Sequence, residues 1–122
     1  MSGADIVEDR TPEDPVVLTD LANSLLSEAE SSGSGTSALS LTPTDAKAFT
    51  QTVVAVTRGN QLGAEHWNGP ASVQVIVGSA TVSDAQGADT ELSSGQWADL
   101  TAGAGGVRAD EDLVVLLTVA PA

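Results

Sequence analysis

Two rhythms of apolar residues divide this chain. Between Pro15 and Glu30, Val17, Leu18, Leu21, Leu25 and Ala29 recur mainly at spacings of three and four, which places them on one stripe of a short helix. Asp14, ahead of Pro15, or Thr19 further in, is the expected N-cap. The stripe is narrow, so the helix is expected to pack on something larger than itself. From Ala38 onward the rhythm shortens to runs rich in Val, Thr and Leu, broken roughly every eight to twelve residues by turn formers. These runs predict strands at Ala38–Leu41, Phe49–Thr57, Gln61–His66, Ser72–Gly78, Ala80–Ser83, Thr90–Leu92, Trp97–Leu100, Val107–Arg108 and Leu113–Val119.

The turns between them have a mechanism. "RGN" at 58–60, "NGP" at 68–70, "DAQG" at 84–87 and "SSG" at 93–95 each supply a glycine where a positive φ is needed. "VQVIV" and "LVVLLTV" are apolar on both faces or nearly so, as strands in the middle of a layered structure must be. "SSGSGTS", Ser31–Ser37, reads as a flexible linker. Residues 1–14 carry five acids among few apolar side chains and read as a disordered acidic tail. The expected organisation is therefore a disordered tail at 1–14, a short helix and Ser/Gly linker at 15–37, and an all-β sandwich or barrel at 38–122.

Composition narrows the chemistry. At 122 residues the chain holds one core. It has no cysteine, which removes disulfides and thiolate chemistry. Seventeen acids against Arg10, Lys47, Arg58 and Arg108 leave a formal charge of -13, a field that repels nucleic-acid backbones and anionic lipid surfaces. Neither nucleic acid nor membrane is an expected partner, and an acidic start with no run of ~20 apolar residues predicts a cytoplasmic location.

One histidine limits catalysis. Without a G-x-S-x-G elbow, His66 supports no triad. Asp89, Glu91, Asp99, Asp110, Glu111 and Asp112 fall mostly in turns, where a solvated charge is the ordinary state. The glycines of "GQWADLTAGAGGVRAD" (95–110) do not form a phosphate cradle, because a strand and not a helix follows them. Glu65 and His66 are neighbours, and on a strand they point to opposite faces, so joint metal ligation needs a bulge. Trp97 is expected in the core. Trp67, before "NGP", is expected in the core or at the mouth of a barrel.

The order of strands and glycines from about Leu39 to Ala120 resembles the small single-domain cupins of the RmlC-like family. The family's second motif, G-x5-P-x-G-x2-H-x3-N, fits in register, with Gly95 and Gly103 at its glycines, Thr101 at the proline place, Gly106 at the histidine place and Asp110 at the asparagine place. In the first motif, G-x5-H-x-H-x(3,4)-E-x6-G, the outer glycines are Gly59 and Gly78, Glu65 and Trp67 stand at the histidine places, and Ala71 stands at the glutamate place. The resemblance implies an all-β cupin-type double-stranded β-helix, a jelly-roll barrel with one short N-terminal helix, and a homodimer. It also implies that the three-histidine, one-glutamate metal set is missing. The leading expectation is a non-catalytic, metal-free protein without cofactor that binds a small molecule or serves as a dimerisation module. His66, Trp67, Gln74 and Trp97 are its candidate ligand residues. The alternative is a metal-dependent enzyme, isomerase or dioxygenase-like, with a site rebuilt around His66 and Glu65 for a divalent ion such as Mg, Mn or Fe.

Overall fold

A computed structural model of the protein describes residues 15–42, 48–63, 67, 70–83, 86–100 and 106–120. The expected tail at 1–14, Glu65, His66, the first two residues of "NGP", Thr101 and Gly103 lie outside the described residues. The described elements are one helix, α1 (Leu18–Ser31), and nine strands: β1 (Thr36–Ser40), β2 (Thr50–Val56), β3 (Gln61–Leu62), β4 (Ala71–Val77), β5 (Ser79–Ser83), β6 (Asp89–Ser93), β7 (Trp97–Leu100), β8 (Gly106–Ala109) and β9 (Leu113–Val119). Every strand predicted from alternation is present, most of them within two residues of the expected bounds; β3 is shorter than expected, ending at Leu62 before Gly63, and Glu65 and His66 of the expected strand lie outside the described residues.

The strands form two antiparallel sheets. One has the order β1-β2-β9-β4-β7 and the other β3-β8-β5-β6. Apart from the β1–β2 and β5–β6 pairs, sequence neighbours do not pair, and β9 lies between β2 and β4 with a partner on each side. Together with α1 these sheets make an all-β jelly roll carrying one short helix.

Period-two alternation sorts the side chains into two cores. Val54, Val56, Val73, Val75, Leu100, Leu113, Val115 and Leu117 face the second sheet, where they pack with Leu62, Ala80, Val82, Leu92, Val107 and Ala109. The opposite parity, Val53, Ala55 and Val114 with Leu116, faces outward and packs under α1 through Ala22, Leu25 and Ala29. This explains why "LVVLLTV" is apolar throughout: one of its faces fills the barrel and the other seats the helix.

The helix keeps the expected stripe except at its start. Leu25 and Ala29 are buried with Ala22, Leu18 and Leu21 pack partly buried against the same cluster, and Val17 is 57% exposed. Two of the three fully buried positions are alanine, whose small side chains let the helix lie close on the valines below. Val17 occupies the N-cap position with no side-chain cap bond, so Thr19 does not have the expected role; Asp14 lies outside the described residues. The flexible linker is also not what forms. Ser32 Oγ lies 3.0 Å from the Ala29 carbonyl and 3.1 Å from that of Thr36, and accepts from the Gly35 N–H at 3.1 Å. The Gly35 carbonyl in turn accepts from the Thr57 N–H at 2.8 Å and from its hydroxyl at 3.0 Å. Serine hydroxyls here close a fixed turn that delivers the chain straight into β1.

At one end of the barrel the acidic turn 110–112 ties other loops together. Thr81, a buried polar residue, donates its hydroxyl to Asp110 Oδ2 at 2.6 Å. Ser79 Oγ donates to Glu111 at 3.0 Å, and the Arg58 N–H donates to Asp112 at 3.0 Å. These three carboxylates, expected as solvated charges, are hydrogen-bond acceptors for β5 and for the β2–β3 turn. Gly78 sits against the same turn, just after a register shift between Val75 and Val77, with φ at +93°. A Cβ there would collide with the Asp112 carbonyl.

Two glycines of similar φ therefore predict different costs. Gly59 has φ at +87° and open space where a Cβ would go. Gly59→Ala should cost about 1 kcal/mol of unfolding free energy in urea titrations, from backbone strain alone. Gly78→Ala should cost about 3 kcal/mol or more, because strain and collision add.

Candidate functional site

The inner face of β2 changes character along its length. Thr50 and Thr52 precede Val54 and Val56 on the same parity, so the barrel lining passes from hydroxyl-bearing to aliphatic. The threonine end opens into a cavity of about 550 Å³ between the edge strands β1 and β3. Its walls are Ser34, Thr36, Ser37 and Ala38 on the β1 side, Thr50, Thr52 and Val54 from β2, Gln61, Leu62 and Gly63 across from them, and Leu117 and Val119 from β9.

None of these described lining residues is ionisable. Among the described residues the cavity presents neutral groups: hydroxyls and one amide on its polar side, aliphatic carbons on the other. Such a surface offers hydrogen bonds and dispersion contact.

The places where the family motifs carry metal ligands are occupied by other chemistry. Trp67 is 4% exposed and Ala71 is 6% exposed, and both belong to the barrel core. Gly106 is buried with φ at +115°, and a Cβ built on it would lie 2.8 Å from the Leu62 carbonyl. A histidine at 106 therefore has no room while β3 keeps its position. An indole, a methyl group and a hydrogen atom stand at three of the four ligand places, and the fourth, Glu65, lies outside the described residues. With one histidine in the whole chain, these residues do not fit the three-histidine metal set. Among the described residues there is no group of three or more His, Cys, Asp or Glu able to hold a metal ion.

Of the expected ligand residues, Gln74 and Trp97 are brought together and Trp67 stands apart from them in the core. Trp67 faces the barrel core, and its Nε1 is buried without a hydrogen-bond partner among the described residues. A donor left this way costs roughly 1–3 kcal/mol unless an acceptor oxygen reaches it. Gln74 and Trp97 are directly opposite each other across the β4–β7 ladder, both exposed, on the outer face of the five-stranded sheet. Trp97 is 61% exposed, which corrects the expectation of a core residue. The reason is topological: β7 is the edge of its sheet, and the apolar layer under α1 reaches only as far as Ile76 and Val77 of β4. His66 lies outside the described residues. Sequence reasoning passed over the threonines of the cavity, although "TQTVVAV" carried the signal in its alternate positions.

Comparison with known proteins bears on the fold. No protein-family model matches the sequence, and no curated protein sequence matches it. Solved structures do match. A cupin superfamily protein from Desulfitobacterium hafniense superposes with a TM-score of 0.71 at 13% identity, over 95% of this chain and 98% of its own. A conserved protein of unknown function from Streptococcus pyogenes gives 0.66 at 18% identity, over 100% and 96%. Salicylate 1,2-dioxygenase from Pseudoaminobacter salicylatoxidans, in adducts with gentisate, gives 0.63 at 14% identity, over 83% of this chain and 31% of its own.

The two tryptophans can be told apart in solution. Trp97→Phe should remove the red-shifted, acrylamide-quenchable part of the emission and change stability by less than about 0.5 kcal/mol. Trp67→Ala should remove the blue-shifted, protected part and cost roughly 3–5 kcal/mol in urea titrations.

Proposed function

On the premise that the chain has the cupin fold, we propose that it is a cytoplasmic, metal-free member of that structural class. In this reading it binds a small uncharged molecule in the barrel and catalyses no reaction. The observation that carries the reading is the cavity lined by threonine and serine hydroxyls, one glutamine and aliphatic side chains, with no ionisable group among its described lining residues. A carboxylate ligand would be drawn into a neutral pocket of a strongly acidic protein at an electrostatic cost. An uncharged ligand with hydroxyl or amide groups on one side and carbon on the other matches both walls.

The rival reading, a metal-dependent enzyme, draws on the fold it shares with salicylate 1,2-dioxygenase and centres on His66 with Glu65. The two readings separate in one preparation. Elemental analysis of protein purified without chelators should find no stoichiometric metal, and Mn, Fe, Ni and Zn should leave its melting temperature unchanged. Stoichiometric metal that disappears in His66→Ala would overturn the binding reading in favour of the enzyme.

Ligand class is tested by thermal shift against matched sets of small polyols, amides and their carboxylate analogues. Neutral compounds should stabilise the protein, by about 2.7 kcal/mol at one hundred times Kd, or roughly 10 °C. The carboxylates should not. Thr52→Val, which keeps shape and removes one hydroxyl, should weaken a neutral hit about fivefold. Stabilisation confined to the anionic analogues would sink the proposal.

A further inference from the structure

The helix covers only part of the outer face of the five-stranded sheet. Strand register sorts the side chains of that face into rows. One row runs Val53, Leu116, Gln74 and Trp97 across β2, β9, β4 and β7, and the next runs Gln51, Thr118, Ser72 and Asp99. Val53 and Leu116 lie under α1, whereas Gln74, Trp97 and Asp99 are exposed and Gln51, Ser72 and Thr118 are half-buried. Phe49, two residues before Gln51 and so on the same parity, is 45% exposed at the opposite corner of the face. Strand spacing and rise put it roughly 20 Å from Trp97. Two of the three aromatic residues in the chain thus stand at the ends of one uncovered polar surface.

The polar groups of this surface are unspent. Gln51 Nε2 donates to Thr118 Oγ1 at 3.3 Å, which fixes one end of the row. The side chains of Ser72, Gln74 and Asp99 have no hydrogen-bond partner among the described residues. Asp99 differs in this from Asp89, Asp110, Glu111 and Asp112, each of which accepts from a hydroxyl or a backbone amide. An exposed indole beside an idle amide, hydroxyl and carboxylate has no role in holding the fold.

The chemistry of these groups selects the ligand. The negative face of an indole attracts the weakly positive C–H bonds of a flat carbon ring. The amide and hydroxyls beside it both donate and accept, and a carboxylate accepts strongly from neighbouring hydroxyls. A pyranose with equatorial hydroxyls presents both features in one molecule, a C–H face and a rim of O–H groups. Anions are disfavoured, because Arg58 and Arg108, the two described cations, lie in the β2–β3 turn and on β8 of the other sheet. An added peptide strand would need the backbone groups of a sheet edge, which a face does not offer.

We propose that the outer face of the five-stranded sheet binds a neutral saccharide chain, stacked on Trp97, hydrogen-bonded by Gln74, Ser72 and Asp99, and reaching Phe49 when the chain is long enough. The site is separate from the barrel cavity and stands whether or not that cavity binds a ligand.

Titration of the full chain with neutral β-linked glucose oligomers of increasing length, followed by tryptophan fluorescence and calorimetry, tests this. The Trp97 emission should shift to the blue and lose its acrylamide access as sugar binds, and NaCl should not change the affinity. Affinity should rise about tenfold from the disaccharide to oligomers that span both aromatics, and Phe49→Ala should abolish that rise. Trp97→Ala should weaken binding at least about tenfold and Asp99→Asn about fivefold. Thr52→Val, which alters only the barrel cavity, should leave it unchanged. If Trp97→Ala does not fold, amide chemical-shift changes at Gln74, Trp97 and Asp99 of the native protein decide instead. The proposal is overturned if no neutral oligomer binds at millimolar concentration, or if Trp97 is already shielded from acrylamide in the free protein. Binding that survives Trp97→Ala, that is lost in Thr52→Val, or that is confined to cationic amino sugars also overturns it.

Discussion

The strand Leu113–Val119 has no face it can show to water, and the rest of the molecule is arranged to meet that condition. It lies between β2 and β4, so its backbone is satisfied on both sides. Leu113, Val115 and Leu117 go into the barrel, while Val114 and Leu116 lie under the helix. Burying such side chains is worth about 1.5–3 kcal/mol each. That gain requires a second sheet on one side and α1 on the other. A jelly roll without the helix would leave Val53, Ala55 and Val114 in water, so the helix belongs to the β domain energetically.

The same division of faces accounts for where charge resides. Among the described residues, inward positions of the strands are apolar or hydroxyl-bearing, and ionised groups are held in turns and on outer faces, where water or a hydroxyl solvates them. The acidic turn at 110–112 shows that this is not idle surface charge, since its carboxylates fasten Thr81, Ser79 and the Arg58 amide. Gly59, Gly78 and Gly95, which stand at glycine places of the cupin motifs, all have positive φ. At the metal-ligand places Trp67, Ala71 and Gly106 carry no ligating side chain, and the buried Gly106, close against the Leu62 carbonyl, leaves no space for one.

Much of this was legible before any coordinates. The strands could be read because alternation and glycine-bearing turns are local signals, and because "LVVLLTV" could only be a strand covered on both faces. The helix was legible in place and in phase through Leu18, Leu21, Leu25 and Ala29; Ala22 was missed because it contributes little hydrophobicity, and Val17 fell outside the contact because the helix begins after it. Trp97 failed for another reason. Its parity was readable, but not whether the outer face of β7 would be covered, since that depends on how far α1 reaches across a sheet whose order is not sequential. The Ser/Gly segment failed because composition reports flexibility of an isolated chain, while Ser32 finds its acceptors only once Ala29 and Thr36 are brought close. The cavity was in the pattern of β2, but polar positions draw notice only when they are charged.

The position of β9 within its sheet also has a consequence for biosynthesis. Its neighbours β2 and β4 are made long before it, and neither can bond to the other in the native order. While residues 113–119 are still inside the ribosome, β1 and β2 can form a hairpin, yet the valines on both its faces have no cover. Those valines therefore stay uncovered until the most apolar segment is free, and on crowded polysomes two nascent chains would expose the same faces at the same moment. The heavy surplus of acidic residues gives those waiting chains a means of staying apart.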